Sequence, residues 1–193
     1  MSTFQENLKK CVKILSNGNL IIYPTDTFWA IGCDATNKDS IEKIRKLKKE
    51  TKYQPSTVLV ADQVMLERYV EVVPEVAYDI LDFAEKPTTI VFDNPKHIAS
   101  NSLYNDGSVA IRIASDKFCQ YLIRKFGKPI IVTEACLSSK SSPINFNHIE
   151  DQILKGVDYV VNLQMEKEKE KETFTPATLI KLTNNSVVKI IRR

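Results

Sequence analysis

The sequence predicts an α/β fold: one twisted, mixed sheet of parallel and antiparallel strands flanked by helices. Three observations carry this expectation. Apolar runs of strand length alternate with amphipathic stretches of helical period. The order of these segments shows no internal repeat and no linker-like stretch that would divide the chain, so residues 1–193 read as one domain. A chain of 193 residues that is 43% hydrophobic and 26% charged is also long enough to bury a core without staples.

The elements follow in order. Leu8, Cys11, Val12 and Leu15 recur at helical spacing over residues 5–16, and Asn17-Gly18 stops that helix, because glycine adopts the left-handed conformation without a Cβ penalty. Leu20–Tyr23 is a buried strand ended by Pro24, with a polar loop Thr25-Asp26-Thr27 beyond it. A second helix starts near Asp39, where Asp39 and Glu42 have capping-box spacing. Ile41, Ile44 and Leu47 form its apolar stripe, and Lys43, Arg45, Lys46, Lys48 and Lys49 make its other faces basic.

Thr57–Val60 reads as a strand, 63–70 and 75–84 as helices, and Thr88–Phe92 and Val109–Ile113 as strands. Residues 116–126 form a helix with Phe118, Cys119, Leu122 and Phe126 on one face, stopped by Gly127. Pro129–Val132 is a strand, Ile149 and Ile153 mark a helix, and Val157–Val161 is a further strand. The run Glu166–Glu172 alternates Glu and Lys, so 165–173 is expected to be an exposed charged loop. Ala177–Leu182 and Val187–Arg192 close the chain as a β-hairpin turning at Asn184-Asn185.

The net charge of +3 is too small for a protein that coats nucleic acid. Cys11, Cys33, Cys119 and Cys136 are far apart in sequence, and His97 and His148 are the two histidines, so no metal centre is expected. The cysteines read as buried thiols of a reducing compartment. No segment has the length and hydrophobicity of a signal or a membrane span, which together predict a cytoplasmic protein.

Four places carry candidate chemistry. Thr25, Asp26 and Thr27 follow a strand, where α/β sheets present ligands; the competing reading is a turn whose side chains satisfy backbone. Lys48 lies four residues after Ile44, beside the apolar stripe, and so can reach inward with an ammonium suited to phosphate. Arg112 interrupts an apolar strand on the face of Ala110 and requires an anionic partner there, in a ligand or in the protein. The hydroxyl-rich loop from Thr133 to Pro143 could wrap an anion or lie free on the surface. The spacing of Cys136 from His148 or His97 does not demand a nucleophile pair.

Taken together, Tyr23-Pro24-Thr25-Asp26-Thr27-Phe28-Trp29-Ala30-Ile31-Gly32-Cys33-Asp34-Ala35 resembles the YPTDTxYGLGCDA signature of the YrdC/YciO family. Ala110-Ile111-Arg112-Ile113 resembles its VRxP strand, and Ile131-Val132-Thr133 leads into the place of its TSANxSG loop. The likeness covers nearly the whole chain, and Trp29-Ala30-Ile31-Gly32 is similar to the YALG variant of the YciO branch. It implies a YrdC-like fold around a large basic cavity. It also implies threonylcarbamoyl-AMP synthesis from L-threonine, bicarbonate and Mg²⁺-bound ATP, with release of pyrophosphate, for modification of tRNA adenosine 37.

The resemblance assigns Lys48 a catalytic and phosphate-facing role. Thr25, Thr27, Thr89, Arg112 and Thr178 become substrate-binding positions, and Ser142 and Arg192, with Lys48, nucleotide-binding ones. The chain departs from the family pattern at Glu50, where the motif has arginine, and at Glu134 and Cys136, where it has serine and asparagine. Ser139, Ala114 and Ala30 replace a glycine, a proline and a glycine, and Glu85-Lys86-Pro87 replaces PGP. Two added carboxylates repel a triphosphate unless Lys49, Lys86 or Lys140 neutralises them or a metal carries the phosphates. The expected ligands are therefore ATP and L-threonine or, for a chain that has lost catalysis, nucleotide or double-stranded RNA phosphate. A third reading is a partner role beside tRNA-modification proteins.

Overall fold

In the computed structural model, residues 3–161, 177–183 and 187–192 are described. Their helices are α1 (Phe4–Ser16), α2 (Lys38–Lys48), α3 (Gln63–Tyr69), α4 (Glu75–Asp82), α5 (Lys117–Phe126) and α6 (Asp151–Lys155). The strands are β1 (Ile21–Pro24), β2 (Trp29–Gly32), β3 (Thr57–Val60), β4 (Thr88–Phe92), β5 (Val109–Ile113), β6 (Ile130–Glu134), β7 (Tyr159–Val160), β8 (Thr178–Leu182) and β9 (Val188–Arg192). All nine join one sheet in the order β7-β1-β2-β6-β3-β5-β4-β8-β9. β3–β5, β4–β8 and β1–β7 are parallel and the other pairs antiparallel, giving the expected mixed sheet.

Local chemistry explains most boundaries. Thr3 and Glu6 form a reciprocal capping box at α1. Gly127 ends α5 at φ 78°, a conformation open to glycine. At α2 the cap is Asn37, whose side chain accepts from the amides of Asp39 and Ser40, so the Asp39–Glu42 box is corrected by two residues.

Strand β2 lies in a stretch, after the Thr25-Asp26-Thr27 loop, to which the sequence pattern assigns no element. Its residues are buried on both faces, so it shows no period-two alternation to detect. Gly32 explains its closeness to β1, since an added Cβ would lie 2.6 Å from Tyr23 Cε1 and 3.0 Å from the Ile131 carbonyl oxygen. β8 and β9 pair antiparallel, while the Asn184-Asn185 turn and the Glu166–Glu172 run lie outside the described residues. Among the described residues no helix is long and apolar enough to cross a membrane.

The sheet register builds one functional face. Across β3, β5, β4, β8 and β9, Leu59 pairs with Arg112, Arg112 with Thr89, Thr89 with Leu179, and Leu179 with Arg192. Paired residues of neighbouring strands share a face. Arg112, Thr89 and Arg192 therefore point the same way.

Candidate functional site

That face floors a cavity of about 430 Å³. Phe28, Thr57, Thr89, Arg112, Val132 and Arg192 line it from the sheet side, the chain from Lys48 to Ser56 forms one wall, and the loop from Thr133 to Lys140 forms another. Its charged lining consists of Lys48, Arg112, Lys140 and Arg192 against Glu50 and Glu134.

Lys48 ends α2 and is only 4% exposed. Its ammonium donates to Thr133 Oγ1 at 2.7 Å and to the Glu134 carbonyl at 2.9 Å. The Ser138 amide returns a bond to the Lys48 carbonyl at 3.1 Å, which stitches the helix end to the loop beyond β6. The inward reach of Lys48 follows from its position beside Ile44 on the buried stripe.

Arg112 is likewise 4% exposed. Its Nη2 faces Asp26 Oδ1 at 3.5 Å, and its Nη1 donates to Thr27 Oγ1 at a long 3.5 Å. Nε and Nη2 make no hydrogen bond among the described residues. A buried guanidinium beside a cavity with donors that make no hydrogen bond is prepared for an anion. Asp26 also accepts from the Ser115 hydroxyl, which ties the signature loop to the end of β5.

The remaining candidates divide. Thr89 and Arg192 line the cavity, and Arg192 braces itself on the Ala177 carbonyl at 3.1 and 3.3 Å. Thr25 folds into its own turn, where its hydroxyl meets Phe28 O at 2.7 Å and Thr27 Oγ1 at 3.1 Å. Neither Thr25, Thr27 nor Ser142 lines the cavity. Thr178 pairs with Thr88, one residue out of phase with Thr89, and so shares Thr88's opposite face. Thr88 opens toward a second cavity, which lies at the ends of β3 and β5.

Residues not anticipated from sequence include Gln54, Pro55 and Ser56. They lie in an irregular segment with no motif, and only its proximity to Lys48 along the chain hinted at a role.

Of the substituted positions, Glu50, Glu134 and Cys136 line the cavity, while Ala114 and Glu85-Lys86-Pro87 line the second one. Glu50 approaches Arg45 Nε at 4.0 Å rather than Lys49, Lys86 or Lys140. The reason is that Lys49, in the left-handed conformation at φ 54°, turns the chain back along α2. Arg45 is already engaged by the Gln54 and Asn101 carbonyls and stacks on Tyr53 at 4.6 Å. Among the described residues no cation lies within ion-pair distance of Glu134. Cys136 donates to the Lys140 carbonyl at 3.7 Å, and burial raises its pKa, which disfavours a thiolate nucleophile.

The family model Sua5_yciO_yrdC, described as "Telomere recombination", matches residues 13–193. The chain belongs to the Sua5/YciO/YrdC family. Among curated members of this family, a threonylcarbamoyl-AMP synthase of Vibrio vulnificus is 27% identical over 158 residues, covering 80% of this chain and 85% of that protein. Pyrococcus abyssi Sua5, solved in complex with L-threonine, matches with a TM-score of 0.80 at 20% identity, covering 93% of this chain and 52% of that one. The chain therefore spans about half the length of that Sua5. Escherichia coli YciO matches with a TM-score of 0.78 at 22% identity, covering 99% of this chain and 90% of the other. These likenesses give the Sua5/YciO/YrdC fold and do not separate the YciO branch from the Sua5 branch.

Proposed function

We propose that this protein is a divergent threonylcarbamoyl-AMP synthase, joining L-threonine, bicarbonate and ATP and releasing pyrophosphate, in service of tRNA adenosine 37 modification. The observation that carries this reading is the convergence of buried Lys48 and buried Arg112 on one cavity with Arg192, Thr89 and Thr133. The relatives' names and the L-threonine complex of the P. abyssi protein support the same reading.

The reaction forms one carbon–nitrogen bond between the threonine amine and the bicarbonate carbon while a carbon–oxygen bond there breaks and water leaves, and at the α-phosphorus a carbamate oxygen replaces the oxygen of the departing pyrophosphate. Neither step requires a protein nucleophile. The protein contributes positioning and charge neutralisation. Lys48 serves the phosphates as a point charge, and the Nε and Nη2 donors of Arg112 serve a planar or tetrahedral oxyanion. Arg192 and Lys140 supply charge at the cavity's edge.

Magnesium enters with the nucleotide. Such an ion is carried by substrate phosphate oxygens and water, with one or two carboxylates. Buried free thiols suit a reducing cytoplasm, where tRNA-modifying partners act. Purified protein with L-threonine, bicarbonate and Mg-ATP should release pyrophosphate only when threonine is present. Folded protein that releases none under these conditions refutes the synthase.

A second reading, phosphate binding without catalysis, is favoured by one specific feature. Exposed Lys46, Lys49 and Lys52 lie beside Tyr53 next to the cavity wall. If this surface holds double-stranded RNA, affinity falls steeply with salt as counterions are released. Salt-independent or absent RNA binding removes this reading.

A further inference from the structure

We infer that Glu50 and Glu134 convert this cavity into one that accepts polyphosphate only as its divalent-metal complex. The inference rests on the nucleotide reading above and names the residues that set the metal requirement. Both carboxylates line the same cavity as Lys48 and Arg112. Neither is well neutralised by the protein. Glu50 has Arg45 Nε at the 4.0 Å limit of an ion pair, without a hydrogen bond to that nitrogen. Glu134 has no cation within ion-pair distance among the described residues, because its own backbone carbonyl, not its carboxylate, takes the Lys48 ammonium.

The second observation is Arg112, 4% exposed beside the same cavity, whose Nε has no partner and whose Nη2 has only the long Asp26 ion pair and no hydrogen bond among the described residues. The cavity therefore presents guanidinium donors without hydrogen bonds and under-compensated carboxylates to one ligand. A free polyphosphate satisfies the first and is repelled by the second. A magnesium polyphosphate satisfies both: its oxygens face Arg112 and Lys48, and its metal, directly or through water, faces Glu50 and Glu134. One or two carboxylates with substrate phosphates are the usual surroundings of this ion.

The test is titration calorimetry of the intact protein with ATP in excess Mg²⁺ and with ATP in chelator. It is repeated with Glu50→Gln, Glu134→Gln and the double variant, which keep side-chain shape. Melting curves confirm that each variant is folded. The wild type should bind the magnesium complex at least roughly tenfold tighter than free ATP. The double variant should lose most of that ratio by gaining affinity for free ATP. A ratio unchanged in the double variant overturns the inference, because the phosphates alone then hold the metal. Equal binding of both forms by the wild type overturns it as well. Absence of binding for both forms in every protein overturns the nucleotide reading itself, and the inference with it.

Discussion

Replacing Arg112 with methionine separates stability from ligand binding. The guanidinium is buried with no hydrogen bond at Nε or Nη2, and its two contacts, the Nη2 ion pair to Asp26 and the Nη1 hydrogen bond to Thr27, are both 3.5 Å long. Each unsatisfied buried donor costs about 1–3 kcal/mol, so two cost about 2–6 kcal/mol in the empty protein. Against this stand the long ion pair with partly buried Asp26, which keeps the Ser115 hydroxyl in the variant, and one marginal hydrogen bond. Apolar replacement of buried charge is often neutral or stabilising.

Arg112→Met should therefore melt at the wild-type temperature or a few degrees above it, with about 2–4 °C per kcal/mol for a chain of this size. In the ligand complex the same two donors make charge-assisted hydrogen bonds of about 1.5–3 kcal/mol each. Their loss predicts at least about a hundredfold weaker binding of the anionic ligand. Differential scanning calorimetry and titration with Mg-ATP, with and without L-threonine, read the two effects. A melting point lowered by more than about 5 °C would make Arg112 a structural ion-pair member, and unchanged affinity would place the anion elsewhere.

Gly32→Ala should destabilise the fold by about 1–3 kcal/mol in urea denaturation, because its Cβ meets the buried Tyr23 ring at 2.6 Å and the Ile131 carbonyl at 3.0 Å; wild-type stability would show that β1 and β2 can separate freely. Asp116 caps α5 through the Cys119 amide, and burial raises its pKa above the unfolded value of about 3.9. Its contribution is thus full below the unfolded pKa and declines as pH rises through the raised folded one. Asp116→Asn keeps a cap acceptor without the charge, so its melting temperature relative to wild type should climb from pH 3 toward pH 7 (roughly the span of a raised carboxylate); a constant difference would contradict this. The four thiols are buried, and desolvation pushes Cys11 up to about 12. Native protein near neutral pH should resist a disulfide reagent that labels all four after unfolding, and fast labelling of Cys11 would count against the α1 packing.

The sequence alone determined the mixed α/β class, because strand and helix periods are local and survive without knowledge of neighbours. It marked β3, β4 and β5 to the residue, each an apolar run bounded by polar turns. It also marked the inward reach of Lys48 and Arg112, since a charge beside an apolar stripe or within an apolar strand has few other destinations. The family was legible because the run from Tyr23 to Ala35 is long and specific, and the match over residues 13–193 agrees with it.

Tertiary structure decided the rest. β2 required a strand on each side, because a segment buried on both faces carries no alternation of its own. The face that each threonine presents depends on register: Thr89 joins Arg112 on the cavity floor, while Thr178, matched to Thr88, turns away. Glu50 meets Arg45 rather than any of the lysines expected, because a left-handed residue at Lys49 folds the chain back. Strand pairing and a backbone reversal are non-local or conformational facts. Spacing along the chain does not encode them, and so residue types could be named as charge carriers before their partners could.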